Sequence, residues 1–162
     1  MDGGDDDFYG STLVEVAEGE WAGWSCYPGG DPYEDLSGPF YWKLDPDGRP
    51  RCAFRAQAKH MNMGGRMHGG CLMTFADIAL FQTAYQEMEG SSGVTVQLDS
   101  TFVDAVNEGD LVEATGEVVR AGGSLIFARG QIQVGDRTVM TFSGVIRKFR
   151  PRSDQVRSTD TP

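Results

Sequence analysis

The 162-residue sequence predicts an α+β domain in which one antiparallel β-sheet curves around a single long central helix. Three observations carry that expectation. From Cys71 to Tyr85 the residues are almost all apolar or small, and Asp77 is the only charge between Arg66 and Glu87. A helix that is apolar on most of its circumference is a buried one. After it, residues 93–149 hold four strand-like stretches separated by short glycine-containing turns, the spacing of an antiparallel meander. Two more strand-like stretches precede it, and a sheet of that size has only this helix to cover its apolar face.

In chain order, residues 1–10 carry four aspartates and three glycines and are expected to be a disordered acidic tail. Residues 11–149 read as one domain, with residues 11–39 as an extension in front of the sheet. Residues 11–24 suggest a short amphipathic helix with Leu13, Val16, Ala17 and Trp21 or Trp24 inward, weakened by Gly19 and Gly23. Residues 25–39 read as loop, with Tyr27 and Tyr33 covering either the core edge or a pocket mouth. A hairpin follows, FYWKL and RCAFRAQA around an Asp-Gly turn. A glycine-rich loop leads into the central helix, which is expected to end near Glu89-Gly90. In the next strand, Val94, Val96 and Leu98 alternate with Thr95, Gln97 and Asp99. The strands LVEATGEVVRA, SLIFARGQIQV and TVMTFSGVIRKF complete the sheet, and residues 150–162 read as a disordered tail.

Length suits a single domain with one sizeable core. The net charge of −10 argues against a nucleic-acid or anionic-membrane surface, and no stretch of 18 uncharged apolar residues suggests a membrane span. The charge is uneven: residues 118–162 hold 8 Lys/Arg against 3 Asp/Glu, residues 1–117 hold 6 against 21. Such a basic region suits either a phosphate-bearing ligand or a solvated strand face. Three cysteines without CxxC spacing, and an acidic start opposite in sign to a leader peptide, point to a cytoplasmic protein with reduced thiols.

The candidate chemistry lies at residues 60–77. Gly69 and Gly70 stand where the helix begins, so their N–H groups lack intrahelical acceptors and share the positive end of the helix dipole. They suit a developing oxyanion or simply a tight turn. Asp77, a carboxylate in the middle of an apolar helix, is a candidate nucleophile or general base, or a buried structural acid. The spacing of His60, His68 and Asp77 is not that of a compact metal site, and none is expected. Cys71 in the first turn is a weaker nucleophile candidate. Four methionines between residues 61 and 73 suit core filling better than an adaptable pocket.

Residues 60–70 fit the pattern H-x-N-x-x-G-x-x-H-G-G, with Asp77 nine residues after His68. This resembles the hotdog-fold acyl-CoA thioesterases of the phenylacetate-pathway (PaaI-like) type, the likeness extending more loosely from about Phe40 to Phe149. The resemblance implies the hotdog fold, hydrolysis of acyl-CoA with no cofactor other than the coenzyme A of the substrate, and a homo-oligomer. It implies that Gly69 polarises the thioester carbonyl, that Asn62 donates toward the thioester, that His68 orients the loop or the thioester, and that Thr95 assists Asp77. It also places the Gly122-Gly123-Ser124 turn, with Arg120 and Arg129, near the nucleotide of coenzyme A, with Gly70 beside the substrate. A non-catalytic acyl-CoA-binding protein and a hotdog hydratase or dehydratase remain alternatives. Gly69 and Asp77 are eight residues apart, roughly 12 Å at 1.5 Å per residue, so one carbonyl cannot meet both in one subunit. Two antiparallel helices from neighbouring subunits, as in relatives, would bring them together.

Overall fold

The computed structural model describes residues 13–149; the expected tails, 1–10 and 150–162, lie outside the described residues. The chain runs through β1 (Val14–Glu15), β2 (Ser25–Cys26), α1 (Pro32–Ser37), β3 (Tyr41–Leu44), β4 (Pro50–Arg55), a 3₁₀ turn (Ala58–His60), α2 (Gly69–Thr83), α3 (Tyr85–Met88), β5 (Ser92–Phe102), β6 (Leu111–Ala121), β7 (Leu125–Val134) and β8 (Arg137–Phe149). All pairings are antiparallel, in the order β1-β2-β3-β4-β6-β7-β8-β5. The central helix α2 touches β4, β5, β6, β7 and β8, so the sheet wraps it as expected.

The inner stripe of α2 is Leu72, Phe75, Ala76, Ala79, Leu80 and Thr83, all buried at the three-and-four spacing of one helix face. It meets Phe54 of β4, Val112 and Ala114 of β6, Ile126 and Ile132 of β7, and Met140 and Ile146 of β8 in one cluster. Each large side chain buried there contributes about 1.5–3 kcal/mol. Close seating depends on glycine at the contact. A Cβ on Gly144 would lie 2.6 Å from Leu80 Cδ2 and 2.7 Å from the Gln97 carbonyl oxygen, and one on Gly116 would lie 2.6 Å from Thr83 Oγ1. The helix ends earlier than expected: it breaks at Ala84, resumes as the single turn α3, and Glu89 rather than a glycine takes the left-handed C-cap position.

Three expectations are corrected. The helix anticipated over 11–24 is absent from its described part. Gly19 and Gly23 adopt left-handed φ of +82° and +78°, which turns the chain between β1 and β2. Trp21 is instead held by stacking on Tyr41, with centroids 4.2 Å apart. Within the expected loop 25–39, α1 forms because Asp31 caps it, accepting from the N–H groups of Tyr33 and Glu34, and Pro32 opens it. In β5 the alternation breaks at a bulge between Thr95 and Gln97. Val94 and Val96 are both exposed, whereas Thr95 pairs with inward Ile146 and Leu98 with inward Gly144. The extra residue lets Thr95 and Leu98 share the inner face three positions apart. The Met cluster is mixed as well: Met67 is buried, but Met63 stands fully exposed at the loop tip.

No helix among the described residues is long and apolar enough to cross a membrane. Cys26, Cys52 and Cys71 are free thiols.

The seating of α2 generates a stability test. Gly144→Ala inserts a methyl against the Gln97 carbonyl and against fully buried Leu80, which has no room to yield. Overpacking of this kind costs about 1–3 kcal/mol. Urea denaturation should read that loss, and unchanged stability would show that helix and sheet are not in tight contact there.

Candidate active site

The loop before α2 is built around Asn62. Its N–H donates to Arg66 O at 2.7 Å, Gly65 N–H donates back to Asn62 O at 3.0 Å, and Gly65 turns the chain at φ +70°. The Asn62 side-chain Oδ1 accepts from the N–H groups of Gly64 (2.8 Å) and Arg66 (3.3 Å). With its oxygen turned into the loop, the exposed amide presents Nδ2 as a donor.

His68 is the N-cap of α2: its Nδ1 accepts from Gly70 N–H at 2.9 Å. That bond uses Nδ1 as an acceptor, so a neutral ring carries its proton on Nε2. It also occupies the N–H of Gly70, which leaves Gly69 as the open donor: its N–H makes no hydrogen bond among the described residues. A Cβ on Gly69 would lie 3.3 Å from the Phe102 ring at the end of β5, so any side chain there would crowd the approach to this N–H.

Two turns further along α2, Asp77 is half-buried, and Thr95 Oγ1 donates to its Oδ1 at 2.6 Å. The bulge at Val96 is what turns Thr95 inward to make this bond. This bond uses Asp77 Oδ1 and not Oδ2. Asp77 and Thr95 thus belong to one cluster, and Asn62, Gly69 and His68 to another at the helix start.

His60 has a different task. It is buried, accepts from Gln57 N–H through Nδ1 (3.0 Å) and donates from Nε2 to Ser37 O (2.7 Å). It therefore clamps the end of α1 to the glycine loop, and burial lowers its pKa. Burial raises the Cys71 thiol to about 11, the opposite of an activated nucleophile.

One acid was overlooked in the sequence. Glu34 on α1 is half-buried beside α2, and burial first, then the charges of Asp31, Asp77 and Asp35, raise its pKa to about 7. The stretch Asp31-Pro32-Tyr33-Glu34 carries a capped-helix signature that would have placed it on a helix. Tyr33 ties α1 to α2, its hydroxyl 3.3 Å from Thr74 Oγ1.

The Gly122-Gly123-Ser124 turn is the exposed tip between β6 and β7, closed by Gly122 N–H to Leu125 O at 2.8 Å, with exposed Arg120 just before it. Arg129 is not at this turn. It lies mid-strand on the outer face, held by Glu117 at 2.7 Å (Nε) and 2.6 Å (Nη2).

A family model described as "Thioesterase superfamily" matches residues 64–141, from the glycine loop into β8. The Pseudomonas aeruginosa protein named "Putative esterase PA0474" is 36% identical over 115 residues, spanning 70% of this chain and 86% of that one. The chain belongs to the thioesterase superfamily. Among other superfamily relatives, acyl-coenzyme A thioesterase 13 of Mus musculus is 26% identical over 48% of this chain and 55% of its own length. Of solved structures, the BH2602 protein of Bacillus halodurans, crystallised with CoA, has a TM-score of 0.63 at 25% identity, covering 68% of this chain and 74% of that one. A point mutant of the phenylacetic acid degradation protein PaaI of Thermus thermophilus has a TM-score of 0.64 at 22% identity, covering 74% of this chain and 100% of that one. The fold of this superfamily member is therefore the hotdog fold. The segment 13–60, with Glu34 and His60, lies outside the family match.

Two ionisable groups of that segment, buried His60 and half-buried Glu34, predict opposite pH effects. The pKa of His60 is lower folded than its unfolded 6.5, so its contribution to stability is full above 6.5 and lost as pH falls below it. Glu34 is raised from 4.5 to about 7, so its contribution is full below 4.5 and lost as pH rises through about 7. His60→Gln should therefore lower the melting temperature less at pH 5 than at pH 7.5, and Glu34→Gln should flatten the decline between about pH 4.5 and 7. Melting curves parallel to wild type across this range would overturn both assignments.

Proposed function

We propose that the protein hydrolyses acyl-CoA thioesters to free acid and coenzyme A, at a site shared between two copies of the chain. The observation that carries this reading is the 2.6 Å bond from Thr95 Oγ1 to Asp77 Oδ1. It fixes the carboxylate and leaves Oδ2 to act on the thioester, either as base toward water or as the nucleophile itself. In the general-base route Asp77 takes a proton from water as the water oxygen bonds to the carbonyl carbon. The developing oxyanion is held by Gly69 N–H and the helix dipole, with Asn62 Nδ2 donating toward the thioester. Collapse breaks the C–S bond, and the departing thiolate takes the proton from Asp77. His68 contributes by capping α2, which aligns the Gly69 peptide.

Gly69 and Asp77 are roughly 12 Å apart along α2, too far for one carbonyl. A second copy, its helix antiparallel to the first, would set Asn62 and Gly69 of one chain beside Asp77 and Thr95 of the other. The outer edge of β5, unpaired among the described residues and with Val94, Val96 and Phe102 exposed, supports such pairing. For the nucleotide we propose the Gly122–Ser124 turn and Arg120. Arg129 lies down the strand beside Glu117, away from the turn, and is left out of this region. The CoA in the Bacillus halodurans relative supports this ligand class, and the free thiols suit a cytoplasmic setting. The Asp77–Thr95 pair favours turnover over binding alone, since an acyl-CoA carrier has no need of a half-buried acid. A hydratase is disfavoured because the ring nitrogens of His60 are both engaged and His68 serves as a cap.

Asp77→Asn should fold yet lose on the order of 10²–10⁴ in kcat, measured by thiol release from a panel of acyl-CoAs. Near-normal turnover would sink the assignment. Exchange between Asp77→Ala and Asn62→Ala subunits should recover about a quarter of wild-type activity, since half the dimers are mixed and each mixed dimer has one intact site. Confirmed exchange without recovery would refute the shared site.

A further inference from the structure

A cavity of about 130 Å³ lies between α1, β3 and α2, lined by Tyr27, Glu34, Phe40, Trp42, Ile78 and Gln82 among others. Two of its polar atoms, Trp42 Nε1 and Gln82 Oε1, are buried without a hydrogen-bond partner among the described residues, and the Trp42 residue is only 8% exposed. Buried polar groups are ordinarily paired, because leaving one unmet costs its full desolvation. One is a donor and the other an acceptor, on opposite elements of one cavity. Ile78 follows Asp77 directly, and Gln82 stands one turn further on the same stripe of α2. Glu34, which lines the cavity, feels the charge of Asp77, so the cavity lies within electrostatic reach of the proposed catalytic carboxylate, and its α2 wall runs from Ile78 toward the C-terminal end of the helix.

Building on the hydrolase reading above, we propose that this cavity receives the far end of the acyl group, and that Trp42 and Gln82 select a short acyl chain bearing a hydroxyl. A hydroxyl can satisfy both orphans, accepting from the indole N–H while donating to the amide oxygen. A methyl end would leave both unpaired. An ammonium has no acceptor for the indole, and a carboxylate would face Glu34 with Asp31, Asp35 and Asp77 around it. Near neutral pH Glu34 is partly protonated, so it can hydrogen-bond a neutral group while its remaining charge disfavours an anionic one. Size agrees. A cavity of about 130 Å³ is slightly smaller than the ~150 Å³ one that admits benzene, which limits the group to about six heavy atoms. Asp77 and Gln82 are five residues apart, so the hydroxyl sits roughly 7.5 Å along the helix from the carboxylate, about the reach of a six-carbon chain.

The test compares thiol release from hexanoyl-CoA and 6-hydroxyhexanoyl-CoA. The wild-type protein should favour the hydroxylated substrate by on the order of tenfold or more in kcat/KM, as expected where a substrate hydroxyl pairs buried groups. Trp42→Phe and Gln82→Met, both close in volume, should lose on the order of tenfold more on the hydroxylated substrate than on hexanoyl-CoA. Equal use of both substrates by wild type, or a preference that survives both variants, would overturn the subsite. If neither substrate releases thiol, the hydrolase reading fails on its own account. The subsite is then judged by calorimetry with the two corresponding S-alkyl CoA thioethers, which cannot be hydrolysed. Tighter binding of the hydroxylated thioether by tenfold, abolished in Trp42→Phe, supports it, and equal affinities reject it.

Discussion

The whole arrangement rests on one constraint: a fifteen-residue helix that is apolar nearly all round and carries a single charge. Such a helix must be covered on every side except where its charge needs company. The sheet covers the stripe from Leu72 to Thr83, and it comes close enough only because Gly116 and Gly144 carry no side chains at the crossing points. The N-terminal segment covers another side through Tyr33 and Thr74. Between the two covers the flank around Asp77 stays half-open, and Thr95 from the edge strand reaches in to bond it. Coverage and chemistry are thus decided by the same packing problem.

Most of the sheet was legible in the sequence because its signals are local. The bounds of β6 agree to the residue with the stretch LVEATGEVVRA, and β7 and β8 differ by single residues, since glycine-containing turns delimit them. The loop motif and Asp77 were equally plain. What could not be read depends on contacts distant in sequence. The turn through Gly19 and Gly23 is stabilised by Trp21 stacking on Tyr41, twenty residues on, so an amphipathic pattern there was misleading. The bulge in β5 is a property of its pairing with β8, and strict alternation would have placed Thr95 opposite to Leu98. Glu34 had a readable helix start beside it, yet nothing local announces that α1 folds over Asp77. Arg129 looked like a partner of the glycine turn because it is near in sequence, but the strand carries it down the outer face to Glu117.

Charge is sorted along the molecule as well. The acids Asp31, Glu34 and Asp35 gather with Asp77 at one side of α2, while Arg120, Arg147 and Lys148 lie around the end of the sheet where Lys148 N–H donates to Ser124 O. A ligand with an anionic nucleotide at one end and an uncharged group at the other would find a matching gradient.

The bulge at Val96 divides β5 into two halves that are out of phase with each other. Upstream of it the strand serves the site, presenting Thr95; downstream it serves the core, presenting Leu98 and Ser100 toward the helix. Because an inserted residue absorbs the difference, neither half constrains the other. Hydroxyl placement can drift without disturbing the packing of the downstream half, and the core can be repacked without moving the hydroxyl. Drawing that residue back into the ladder would make the strand regular over its whole length, and regularity would carry Thr95 to the solvent side.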